Sequence, residues 1–191
     1  MTPPSTQART ALLVIDMQNS YFDFPELEEQ REAVTAKVNE LIRAARQGGR
    51  PILLIRTQHE QDRSTWTVNM QDDDQGFAYP GTEQAEYVAG LDTDGGVGLV
   101  KTRDSAFFDT DLAARLRNLG VERLVLCGIS THSCVAQTAI DAFAHNFRAA
   151  VARDAVASEN PDLSQALLAF LLDEMRQEIL DQDDSVSRLR G

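Results

Sequence analysis

Three polar side chains in this sequence have the types and the spacing of a reaction centre. Asp16 closes the apolar run Ala11-Leu12-Leu13-Val14-Ile15, and Lys101 closes a second apolar run at 97–101. Cys134 lies seven residues past Cys127, where a third apolar run gives way to a helical segment. Singly, each has an ordinary reading: an acid that turns the chain, a solvated lysine, a small buried hydrophobe. Together they bring a nucleophile, a base and a cation to one place. A thiol with a free pKa of about 8.5 is mostly neutral at pH 7, and a helix N-terminus with an ammonium nearby favours its thiolate. Asp16 would take the thiol proton as Cys134 attacks a carbonyl carbon, then return it to the leaving nitrogen. Lys101 would offset the negative charge of that pair. The backbone amides around Ser130 and at Cys134, on a tight turn into a helix, would hold the oxyanion.

Those three residues converge only if strand ends converge. Apolar runs at 11–16, 51–57, 97–101, 121–127 and 147–153 read as strands covered on both faces. Helical patterns fall between them, at 26–47, 111–119 and 133–146. Asn160-Pro161 opens a last helix with Asn as cap and Pro at the first helical position. Alternating strand and helix predict an α/β fold, a three-layer αβα sandwich with a mostly parallel central sheet and right-handed crossovers. In such sheets ligands collect beyond the carboxyl ends of the strands, where the three residues stand. Residues 1–9 read as a flexible leader, 10–181 as a single domain and 182–191 as a polar tail. Residues 59–96 show little periodicity beyond a short helix at 82–89, and a stretch that long reads as a lid, an oligomer contact or both.

Composition narrows the function. The chain has 191 residues, 42% of them hydrophobic and 25% charged, which is globular and of single-domain size. A formal charge of −12 argues against nucleic acid as a partner. Two cysteines are too few for a disulfide framework and point to a reducing, cytoplasmic setting. No apolar stretch approaches a membrane span.

The segments LLVIDMQNSYF (12–22), VKTRDSAFFDTDL (100–112) and LVLCGISTHSCVAQTAIDAFAHNFRAAVARDA (124–155) resemble the isochorismatase-like cysteine hydrolases. That superfamily includes nicotinamidases, N-carbamoylsarcosine amidases, ureidoacrylate and biuret hydrolases, and a streptothricin lactam hydrolase. The resemblance implies a catalytic triad of Asp16, Lys101 and Cys134. It implies a cis peptide between Ile129 and Ser130 that sets the Ser130 and Cys134 amides as an oxyanion hole. It also implies Gln18 and Asn19 on the site floor, and dimers or higher assemblies. Nicotinamidases carry an Asp-x-His metal site after the second strand. Here that stretch reads Thr57-Gln58-His59-Glu60, with Gln58 in the aspartate's place, so neither metal nor cofactor is expected. Isochorismatases proper cleave a vinyl ether without the cysteine, whereas Cys134 favours a small amide, ureide or lactam as substrate.

Other residues keep two readings each. Phe22, Phe24 and Trp66 are either an apolar substrate wall or core, with Trp66 in the long loop the better lid residue. His59 is a surface residue or a hydrogen-bond donor to substrate, and His132 makes a local hydrogen bond. Cys127 is a buried structural thiol. The run Asp72-Asp73-Asp74 is a solvated loop tip or draws in a cation. Two phosphoryl-transfer folds fail on the residues: Gln18 replaces a required second aspartate, and Ile140 replaces the arginine of a cysteine phosphatase. A vinyl-ether hydrolase and a catalytically silent binding module remain as alternatives.

Overall fold

Runs without polar alternation belong in strands covered on both faces. The computed structural model, which describes residues 9–191, builds its sheet from them. β1 (Arg9–Ile15), β2 (Ile52–Thr57), β3 (Gly96–Lys101), β4 (Val121–Ile129) and β5 (Arg148–Ala157) fall on the five expected runs, and a short β6 (Glu178–Leu180) adds a sixth. Every pairing is parallel, in the order β3-β2-β1-β4-β5-β6. The sheet is therefore parallel throughout rather than mostly so. Seven α-helices occur among the described residues: α1 (Pro25–Glu28), α2 (Arg31–Gln47), α3 (Val68–Asp72), α4 (Leu112–Asn118), α5 (Ala136–Ala144), α6 (Pro161–Asp173) and α7 (Gln182–Arg190).

Successive strand residues point to opposite faces, so each strand feeds two cores. Leu12 and Val14 of β1 pack with Val38, Leu41 and Ile42 of α2 and with Val186 and Leu189 of α7. Leu13 and Ile15 pack on the other side with Leu112 and Leu116 of α4, Ala136 and Ala139 of α5, and Leu171 of α6. The result is the expected αβα sandwich. Because β1 pairs with β2 on one side and β4 on the other, the chain changes direction of winding at β1. A crevice beyond the carboxyl ends of the strands is expected at such a switch point.

Three expectations are corrected. Residues 1–8 of the leader lie outside the described residues, and Arg9 already opens β1. The stretch 182–191 is no loose tail: it forms α7, whose Ser185, Val186 and Leu189 are buried. Asp181 caps that helix by accepting from the Asp184 amide at 2.9 Å. Its polar composition hides a narrow apolar stripe, which is all that a surface helix needs. In the long irregular stretch, the expected helix at 82–89 is only a 3₁₀ turn, Glu83–Ala85, and α3 forms where no helix was expected. No helix among the described residues is long and apolar enough to cross a membrane.

Candidate active site

Asp16 is the first residue past β1 and takes a φ of 51°, a left-handed conformation that aspartate tolerates better than most residues. Its amide still donates to the Ile55 carbonyl at 2.9 Å, so the backbone stays in the sheet while the side chain is fully buried. In β3 the buried residues are Leu99 and Lys101, and the latter is only 1% exposed. Lys101 Nζ lies 2.7 Å from Asp16 Oδ2. It also donates to Thr57 Oγ1 at 2.7 Å and lies 3.4 Å from Cys134 Sγ. Thr57, the last residue of β2, donates to Asp16 Oδ1 at 3.0 Å and accepts from the Tyr21 hydroxyl at 3.1 Å. One donor and two lone pairs are thus all in use. Asp16 Oδ2 has the ammonium beside it but no hydrogen bond of regular geometry among the described residues.

Cys134 comes from the far side of this cluster. Gly128, with φ of 115°, lets β4 pass so close to β1 that a Cβ there would collide with the Ile15 carbonyl oxygen. The next peptide, Ile129–Ser130, is cis. A π-helical turn, Thr131–Val135, then leads into α5 and carries the buried Cys134 at its end. The thiol also points at Asp104 Oδ1, 3.8 Å away, and Gln137 Nε2 donates to the other oxygen of Asp104 at 2.7 Å.

Burial sets the electrostatics. It pushes the Cys134 thiol above its ordinary range; Lys101 opposes that, while Asp16 and Asp104 add to it. Burial alone would lower Lys101, but the charges of Asp16 and Cys134 and the hydrogen bonds to them outweigh it, so the ammonium is held above its usual value. Tyr21 is lifted by burial and by the negative charge of Asp16. His59 is lowered by burial despite the Thr65 carbonyl at its Nδ1, with Arg103 and Lys101 pressing the same way.

A family model described as the isochorismatase domain matches residues 10–183. The chain belongs to the isochorismatase family. A probable inactive nicotinamidase of Arabidopsis thaliana is 36% identical over 168 residues, covering 82% of this chain and 85% of that protein. An isochorismatase family protein from Desulfovibrio vulgaris superposes with a TM-score of 0.83 at 30% identity, over 95% of this chain and 100% of the other. Nicotinamidase PncA from Bacillus subtilis gives 0.78 at 25% identity, over 90% and 98%.

In this family member the cluster opens into a cleft of about 580 Å³, with Cys134, Thr57, His59 and Tyr21 in its wall. Of the residues assigned to substrate from the sequence, only His59 lines it. Gln18 is fully buried: its amide donates to the Thr57 and Ala85 carbonyls at 2.9 and 3.0 Å and accepts from the Thr57 amide at 2.7 Å. It ties β2 to the long loop and, fully buried, does not line the cleft. Phe22 is core, packed under Arg31, and Trp66 is buried with its indole N–H on the Glu60 carbonyl at 3.0 Å. Thr57, Tyr21 and Asp104 were not anticipated. The strand-end rule that selected Lys101 applies equally to Thr57, and Asp104 stands three residues past Lys101. The residues present do not fit the metal site of nicotinamidases. His59 turns Nδ1 to Thr65, Gln58 is no ionic ligand, and no three His, Cys, Asp or Glu side chains converge among the described residues.

Proposed function

We propose that the protein is a cysteine-dependent hydrolase that cleaves a C–N bond in a small amide, ureide or lactam through a thioester. The observation that carries this reading is one contact set. Cys134 Sγ, in the wall of a cleft, lies 3.4 Å from the ammonium of Lys101, which is itself 2.7 Å from the Asp16 carboxylate. Asp16 Oδ2, free of a regular hydrogen bond, takes the thiol proton as sulfur attacks the carbonyl carbon. The oxyanion forms against the Ser130 and Cys134 amides. The tetrahedral species collapses as Asp16 passes the proton to the leaving nitrogen, and the amine departs. Water then attacks the thioester with Asp16 again as base, and the carboxylic acid leaves as the thiol is restored. Lys101, 2.7 Å from Asp16 Oδ2, holds the carboxylate in place throughout.

On the same reading the protein is cytoplasmic and works as a homo-oligomer. Exposed Val97 and Val100 on β3, and Leu163, Phe170 and Leu172 on α6, are apolar surface suited to contact between copies. A silent family member is the second reading, favoured by the inactive designation of the Arabidopsis relative. Ammonia release over a panel of primary amides, ureides and lactams, with mass detection for lactam opening, separates the two. We expect turnover that survives dialysis against EDTA and falls by ~10⁴-fold or more in Cys134→Ala. A folded protein that cleaves nothing in the panel, or a Cys134→Ala variant with wild-type rate, would overturn the thioester route.

A further inference from the structure

The turn that follows Lys101 brings a second carboxylate to the thiol, one to which the proposed mechanism gives no part. Asp104 is exposed and lines the cleft together with Cys134, whereas Asp16 is fully buried and is not among the lining residues. Two residues of α5 hold that turn. Thr138 Oγ1, fully buried, accepts from the Ala106 amide at 3.0 Å, and Gln137 Nε2 donates to Asp104 Oδ2 at 2.7 Å. Gln137 and Thr138 stand three and four residues past Cys134, the spacing that shares a helix face. One surface therefore sets both the sulfur and the carboxylate.

The hold on Asp104 is one-sided. Gln137 occupies Oδ2, while Oδ1 faces Cys134 Sγ at 3.8 Å, and no other donor reaches Oδ1 among the described residues. A carboxylate offers about four lone-pair sites and no proton, so Oδ1 is an acceptor beside the nucleophile with most of its capacity unused. Thr57, also in the cleft wall, has its hydroxyl fully engaged by Lys101, Tyr21 and Asp16. Arg103, next to Asp104 in the chain, commits Nη1 to the Thr65 and Thr102 carbonyls at 2.7 and 2.6 Å. An amide carbon attacked by Sγ carries its nitrogen ~1.3 Å away. A nitrogen so placed can sit within hydrogen-bond reach of an oxygen 3.8 Å from the sulfur.

Building on the hydrolase reading, we propose that Asp104 recognises the nitrogen of the scissile bond, its Oδ1 accepting an N–H from it. The enzyme then selects substrates that keep a hydrogen on that nitrogen, such as primary amides, ureides and N–H lactams, over esters and N,N-disubstituted amides. Asp104 takes no proton. The leaving nitrogen receives its proton from Asp16 and gains positive charge as it does. Its remaining N–H then binds the carboxylate more strongly than in the ground state, so the contact raises kcat as well as affinity. An ester oxygen in the same place would set its lone pairs against the carboxylate, with no donor between them.

Recognition can be read at the sulfur without turnover. N-Methyliodoacetamide and methyl iodoacetate match in size, and each alkylates a thiol at its methylene carbon with release of iodide, but only the first has an N–H. Each rate at Cys134, located by peptide mass mapping, is divided by the reagent's rate with a small free thiol. Both reagents meet the same sulfur, so any effect of Asp104 on the ionisation of the thiol cancels in the ratio. The normalised amide-to-ester ratio should be about 10 or more in the wild type. Asp104→Asn, which keeps the shape and a weaker acceptor, should lower it roughly threefold or more, and Asp104→Ala should bring it near one. A wild-type ratio near one, or a ratio that both variants leave unchanged, overturns the proposal. Equal slowing of both reagents overturns it too, because Asp104 would then serve the thiol and not the nitrogen. Cleavage of an amide and of its methyl ester is scored separately. Asp104→Ala should lower kcat/KM by ~10-fold or more for the amide and by less than about threefold for the ester. An Asp104-dependent labelling ratio with nothing cleaved keeps Asp104 as the N–H acceptor and removes the hydrolase reading. Cleavage that needs Cys134, with a labelling ratio near one, does the reverse.

Discussion

Cys127, in the body of β4, and Cys134, in the turn beyond its end, are both buried free thiols, and burial pushes both above the ordinary range. Around Cys127 burial is the whole cause of the shift: among the described residues its sulfur reaches only one polar group, the Leu13 carbonyl, at 3.6 Å. Around Cys134 the same burial is crossed by an ammonium at 3.4 Å and two carboxylates, one of them 3.8 Å away. Burial alone therefore gives an inert thiol. On the proposed mechanism, reactivity comes from a proton acceptor placed beside the sulfur, so that the proton leaves during attack rather than before it.

The sharpest way to break this contrast is to remove the acceptor. Asp16→Asn and Lys101→Ala should each lower kcat/KM by ~10³-fold or more, and the double variant should lose far less than the product of the two. Losses that simply multiply would show the two residues acting independently. Circular dichroism accompanies the kinetics, because Lys101→Ala leaves a buried carboxylate unpaired at a cost of about 3–5 kcal/mol. A smaller effect separates the thiols themselves. Iodoacetamide should alkylate Cys134 at least ~10-fold faster than Cys127 in the native protein, as read by peptide mass mapping, and Asp16→Asn should narrow the gap. Equal labelling would mean that the surroundings of Cys134 add nothing.

The smallest effect is on stability. Cys127→Ala should cost about 1 kcal/mol and lower Tm by about 2–4 °C, with little change in turnover. Alkaline pH tests the same burial. Cys127, Cys134, Tyr21 and Lys101 all hold their protons more tightly folded than unfolded. Above the ordinary thiol range, from about pH 8.5, the unfolded chain binds fewer protons than the native one, so stability is full below that range and declines as pH rises. Thermal melts from pH 8 to 10 should show a falling Tm, with a shallower fall in Cys127→Ala. A flat or rising profile contradicts the assignment.

What the sequence reveals and hides follows the physics of each signal. Five strands and the convergence of Asp16, Lys101 and Cys134 are legible because strands covered on both faces give unbroken apolar runs with a visible end. Thr57 is not legible: a threonine at a strand end looks the same whether its hydroxyl joins three groups or meets water. Gln18 reads as a site residue because it lies two residues past Asp16 in the chain, yet beyond the end of β1 its side chain turns into the interior and braces β2. β6 is missed because its three residues are too few to give a run, and α7 because its sequence is polar and its apolar stripe narrow. Phe22 and Trp66 show the usual ambiguity of aromatic residues, which composition cannot place inside or at a wall.

The pairing of Lys101 with Thr57 across β2 and β3 has a consequence for how the sheet is assembled. β3 lies at the sheet edge, bonded to a neighbour on one side only, and apart from Lys101 its alignment is fixed by the buried Leu99 and by Gly96 close against Leu54. Sliding it by one residue would send Lys101 to the opposite face and set Val100 against Asp16. That misalignment would strand a carboxylate in the interior, at the same few kcal/mol that breaking a buried ion pair demands. The ion pair thus acts as a key for the outermost strand: the alignment that pairs Asp16 is the one that also brings the ammonium to the thiol.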